Sequence, residues 1–108
     1  MMIAVMGASG NTGTRISGAL LERGQQVRAL GRSESKLADL KRAGADVVTG
    51  DAADLPFLAK AFRGADAVYA LLPPDPTSPD YRARQDAVGE AIAAAVRDGG
   101  VRHVVFLS

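Results

Sequence analysis

Cysteine is missing from all 108 residues. Disulfides, thiolate metal sites and a cysteine nucleophile are therefore excluded, and the chain suits a reducing compartment. Neither sign of charge is in excess: 13 basic and 12 acidic side chains leave a net +1, which gives no reason to expect a nucleic-acid partner. Long apolar runs are lacking too. No stretch approaches the ~20 residues of a membrane span, and the opening "MMIAVMGASG" has neither the basic start nor the long apolar core of a secretory signal. These absences argue for a cytoplasmic chain with no membrane partner. No internal repeat or low-complexity tract divides it, and its length fits one domain able to bury roughly two thirds of its unfolded surface.

What is present is an alternation of short apolar runs with stretches of helical period. "MIAVM" (2–6), "QVRAL" (26–30), "DVVTG" (46–50), "DAVYALL" (66–72) and "HVVFL" (103–107) read as strands. Four helices are expected between them. The first carries Ile16, Ala19 and Leu20 as its stripe; the second carries Leu37 and Leu40 behind a capping Ser33. The third opens at Asp54, turns Leu55, Leu58 and Phe62 inward and closes at Gly64; the fourth, from about Asp80 to Asp98, turns Val88, Ala91, Ile92, Ala95 and Val96 inward. The proline-rich "LLPPDPTSPDY" (71–81) reads as a rigid loop inside one domain. The series implies an α/β fold, a doubly wound, Rossmann-like parallel sheet of strand order 3-2-1-4-5, truncated after the fifth strand.

The chemistry is concentrated in "GASGNTGT" (7–14), which follows the first strand and opens the first helix. Gly7, Gly10 and Gly13 are spaced for a tight turn, close approach of backbone to a pyrophosphate, and close packing of helix on sheet. With Ala8, Ser9, Asn11 and Thr12 they form a phosphate cradle that faces the positive end of the helix dipole. A P-loop would need Gly-Lys-Ser/Thr; here Thr14 and Arg15 follow Gly13. At the end of the second strand an NAD site usually offers an acidic side chain, about 20 residues beyond the glycines, for the ribose 2′-hydroxyl. This chain offers "LGRSESK". Gly31 lets the chain pass close to the ribose, and Arg32, with Ser33 and Lys36 nearby, can grip a 2′-phosphate, so NADP(H) is expected in preference to NAD(H).

These segments, with "GDAADLPFLAKAFRGADAVYALLP" and "AIAAAVRDGGVRHVVFLS", resemble the NmrA-like, atypical short-chain dehydrogenase/reductase family over essentially the whole chain. The resemblance covers the N-terminal, NAD(P)-binding half of such a protein, so residues 1–108 are expected to be the cofactor domain with the substrate-binding part absent. It implies that Asp51 and Ala52 contact the adenine ring and that Leu71, Leu72 and Pro73 run beside the nicotinamide ribose. It also puts Ser108 at, or one to two residues short of, the hydroxyl position that many relatives use in catalysis. The partner Tyr-x-x-x-Lys is not matched, because Gln85 follows Tyr81 at that spacing; Tyr81 reads as a packing residue and His103 as a structural or surface histidine. No metal-spaced cluster, carboxylate pair or Ser-His-Asp set is seen, and the catalytic residues stay unassigned.

Three functions remain open on these grounds. One is the cofactor domain of a reductase that transfers hydride from the nicotinamide to a quinone or other carbonyl substrate. Another is a non-catalytic NADP(H)-sensing module of the NmrA type, and the third an inactive fragment. The 108 residues alone are not expected to be competent for turnover. Exposed apolar residues on the fifth strand are expected to drive self-association of the isolated chain.

Overall fold

The structure is a computed structural model and describes residues 1–8, 10–71 and 81–107. Five strands form one parallel sheet: β1 (Met2–Val5), β2 (Gln26–Gly31), β3 (Asp46–Thr49), β4 (Ala67–Leu71) and β5 (His103–Leu107). Their order is β3-β2-β1-β4-β5, the doubly wound, Rossmann-like arrangement that the alternation predicts. Register is continuous from Arg28 opposite Asp46 at one side to Leu71 opposite Leu107 at the other.

Side chains of the central strands alternate between two covered faces, which is why these strands are apolar at nearly every position. Ile3, Val5, Val27, Ala29 and Ala67 pack beneath α1 (Asn11–Glu22) and α2 (Ala38–Arg42). Ala4, Met6, Leu30, Val68 and Ala70 pack beneath α3 (Leu55–Phe62) and α4 (Tyr81–Gly99). Phe62 and Ile92 fill the second layer and are fully enclosed. Removing a buried ring such as that of Phe62 costs about 3–5 kcal/mol.

The helices differ from the sequence reading in three places. In α1, Ala19 is exposed, and the line against the sheet is the small pair Gly13 and Ser17, with Ile16 and Leu20 half-buried beside it. Small residues let the helix axis come close, so the contact line is not the most apolar one. Ser33 caps no helix: the chain stays irregular to Glu34, enters a 3-10 turn at Ser35–Leu37 and then α2, and the Ser33 hydroxyl pairs with that of Ser35 at 2.9 Å. In α3, Leu55 opens the helix and is exposed, and the buried stripe is Leu58, Ala61 and Phe62. In α4, Val88, Ala91, Ile92 and Ala95 are buried and Val96 half-buried, as the periodicity predicts. His103 begins β5 and is exposed. Most of the proline-rich stretch lies outside the described residues.

Candidate dinucleotide site

All five strands are parallel, so their C-terminal ends share one edge of the sheet. The strand order reverses there between β1 and β4, and such a switch point leaves a crevice. The glycine turn is built into it. Met6 donates its N–H to the Tyr69 carbonyl (2.9 Å) and Ala8 donates to the Leu30 carbonyl (3.0 Å), so the chain stays tied to both neighbouring strands as it leaves the sheet. Gly7 then adopts φ +62°, and the Gly10 N–H closes back on the Gly7 carbonyl at 3.0 Å.

Helix α1 begins immediately after this turn, with Gly10 as its N-cap. Glycine carries no capping side chain, so no cap competes with a ligand for the amides of the first turn. Gly13 comes so near the turn that a Cβ on it would fall on the Gly7 carbonyl and within 2.8 Å of the Ala8 Cα. The Thr14 hydroxyl donates to the Ala8 carbonyl at 2.7 Å and locks helix to turn. Ala8 and Gly13 are buried, whereas Gly10, Asn11 and Thr12 are exposed at the helix start. The cradle therefore presents backbone to solvent where a phosphate would lie.

A cleft of about 250 Å³ extends from Gly7 toward the end of β2. Gly31, Arg32, Ser33 and Lys36 form its polar rim. Met6, Leu30, Ala52, Phe57 and Leu58 supply its apolar lining, together with Gly50, which follows β3. The Arg32 guanidinium stands 3.7 Å from the Asp51 carboxylate, both side chains substantially exposed. Asp51 also accepts the Ala53 N–H at 2.9 Å, which fixes the turn into α3.

Of the residues singled out from the sequence, Gly7, Arg32, Ser33, Lys36 and Ala52 line this one cleft. Asp51 joins them through Arg32. Leu71 ends β4, paired with Leu107; Ser9, Leu72, Pro73 and Ser108 lie outside the described residues. The sequence reading missed the apolar walls, Met6, Leu30, Gly50, Phe57 and Leu58. The only available signal was a glycine ending the third strand with an aromatic seven residues later. Among the described residues, no group of three or more His, Asp or Glu side chains could hold a metal ion. None of the helices there is long and apolar enough to cross a membrane.

A parallel sheet reversing order at a glycine turn, with a basic-rimmed cleft at the end of its second strand, defines a dinucleotide-binding protein. The chain belongs to the NAD(P)H-binding family, whose pattern matches residues 7–108. It is 41% identical over 107 residues to the (4-alkanoyl-5-oxo-2,5-dihydrofuran-3-yl)methyl phosphate reductase of Streptomyces griseus subsp. griseus, covering 99% of this chain and 34% of the relative. An NmrA-like family domain-containing oxidoreductase of Cladobotryum sp is 34% identical over 114 residues, covering 99% and 33%, in line with the NmrA-like resemblance. Among solved structures, triphenylmethane reductase of Citrobacter sp. complexed with NADP(H) matches with a TM-score of 0.80 and 26% identity, covering 98% of this chain and 36% of that one. The chain thus spans about a third of the length of the curated relatives it matches.

Proposed function

We propose that residues 1–108 are the NADP(H)-binding domain of a reductase that acts on a quinone or other carbonyl compound. The observation that carries the cofactor choice is the rim at the end of β2. Arg32, Ser33 and Lys36 line one cleft there, and none of the three is the acidic side chain that a ribose 2′-hydroxyl calls for. A guanidinium offers a 2′-phosphate paired N–H donors in fork geometry. The Gly7–Gly13 turn fits a pyrophosphate, since Gly13, where a Cβ would strike the Gly7 carbonyl, lets α1 and its unpaired first-turn amides start hard against the turn. The family resemblance assigns Asp51 and Ala52, at the start of the connection to α3, to the adenine end, and Leu71, Leu72 and Pro73 to the nicotinamide ribose.

The bound cofactor would supply the hydride, and the protein its orientation. The reductase reading draws support from the reductase and oxidoreductase relatives. The chain spans about a third of these relatives, and in this reading the substrate is met mainly by segments beyond that third.

Melting of the chain with saturating NADPH or NADH tests the cofactor choice. NADPH should raise Tm further, and equal shifts would overturn the preference. Arg32→Ala should weaken NADPH about tenfold, a difference of ~1.4 kcal/mol, and leave NADH within about twofold by calorimetry. NADPH consumption with a panel of quinones and carbonyl compounds, in the protein that carries this domain, tests the reaction. Binding with no oxidation by any acceptor would favour the sensing module instead.

A further inference from the structure

The basic part of the cleft would account for a phosphate, but its apolar lining is a different kind of surface. Among the described residues lining it, Phe57 is the only aromatic. It sits in the first turn of α3, half-buried. Its ring lies directly on Gly50: a Cβ there would stand 2.6 Å from the Phe57 Cδ1 and 2.7 Å from Cγ. Gly50 is itself held, since its N–H donates to the Gly31 carbonyl at 3.0 Å and continues the pairing of β3 with β2. Phe57 also borders a second, outer basin beside Val48 and Lys60, so the ring is a partition rather than part of the sealed core. The helix beneath it is fixed by Leu58, Ala61 and Phe62, all buried.

We propose that Phe57, seated on Gly50, is the platform for the purine ring and sets how tightly the site grips the adenine end of either dinucleotide. The inference rests on the dinucleotide reading of the cleft. Phe57 and the basic Arg32 and Lys36 line one cleft of about 250 Å³, a lining that suits a planar base against the ring with its phosphates near the basic side chains. Every base offers a π-face, so the gain is independent of the 2′ group. Phe57 therefore acts on NADPH and NADH alike, in contrast to Arg32. Gly50 is the condition for this: any side chain there drives the ring off its seat and into the space of the base.

The chain contains no tryptophan, so Phe57→Trp installs a single fluorescent reporter at the platform. Titration with 2′,5′-ADP should quench it, and nicotinamide mononucleotide should leave it unchanged. Phe57→Ala and Gly50→Ala, checked for folding by circular dichroism, should each weaken 2′,5′-ADP, NADPH and NADH by a similar factor, about tenfold. Phe57→Leu should restore little of this and Phe57→Tyr most of it, because a planar ring rather than apolar bulk is required. Unchanged affinities in Phe57→Ala, or a reporter indifferent to saturating 2′,5′-ADP, would overturn the platform while leaving the dinucleotide reading intact. A wild-type chain that binds none of the three adenine ligands would overturn the dinucleotide reading and the platform with it.

Discussion

At position 13 the glycine turn admits no side chain, because the backbone of residues 7 and 8 occupies the place of a Cβ. Gly13→Ala must push α1 away from the turn, a strain of about 1–3 kcal/mol, and the displaced first turn should no longer meet a pyrophosphate. The expected result is a folded protein whose Tm NADPH no longer raises, measured by scanning fluorimetry with circular dichroism as the control. One turn along the same line stands Ser17, fully buried, with no hydrogen-bond partner for its hydroxyl among the described residues. A buried unsatisfied hydroxyl is a cost. Ser17→Ala should therefore stabilise the chain by about 1 kcal/mol, or roughly 4 °C in Tm, without changing cofactor affinity; a fall in Tm would mean the hydroxyl is satisfied. Both residues show why the sheet-facing side of α1 was hard to read. Apolarity points to Ala19, but closeness to the sheet selects the smallest side chains that leave no gap, and hydropathy is blind to that.

Among the elements, α3 depends on a residue that belongs to another. Arg28 of β2 points to the α3 side of the sheet, where its guanidinium donates to the Ala61 carbonyl at 2.7 Å and the Arg63 carbonyl at 3.0 Å. Its Nε donates to the Asp46 carboxylate of β3 at 3.1 Å. A cation on the last carbonyls of a helix satisfies orphan acceptors and opposes the negative end of the dipole. Its side chain is only 24% exposed, so these bonds are less open to water than a surface pair. Arg28→Met keeps the stem and loses the donors, and should destabilise the chain by about 2 kcal/mol in urea unfolding. Arg28→Lys should recover only part, since one ammonium cannot reproduce the fork.

The existence and order of the elements were legible because strand period, helix period and right-handed crossovers all point one way. Cross-chain ties such as this one were not: the spacing of Arg28 from Ala61 becomes a contact only once β2 lies beside α3. The cleft divides in the same manner. Its glycine turn and its basic residues are each contiguous in sequence, so both stand out there. Phe57 and Gly50 come from separate segments that the fold brings together, and they were missed. In sequence Ser33 suits both the site and a helix cap; it lines the cleft, and the helix starts beyond it.

For the molecule as a whole, the open question is what its sheet edges do. β3 and β5 are the two outer strands, and β5 carries exposed apolar side chains, Val105 at 43% and Phe106 at 65%. Being adjacent, the two point to opposite faces, so each face of this strand carries an exposed apolar side chain. Val104, by contrast, is half-buried against the α3 and α4 layer. An outer strand with free backbone groups and apolar flanks is a template for pairing with another chain. The isolated 108 residues should therefore self-associate, their mass in light scattering rising from monomer toward dimer or beyond over a tenfold to hundredfold increase in concentration. Phe106→Glu should return the chain to monomer without weakening 2′,5′-ADP binding, because the cleft lined by Gly7, Arg32 and Phe57 lies on the β1, β2 and β3 side of the sheet. A constant monomer mass across that range would show that β5 is protected despite its exposure. Association that Phe106→Glu leaves untouched would instead move the contact to the β3 edge, where Asp46 and Thr49 are exposed and Val47 and Val48 half-buried.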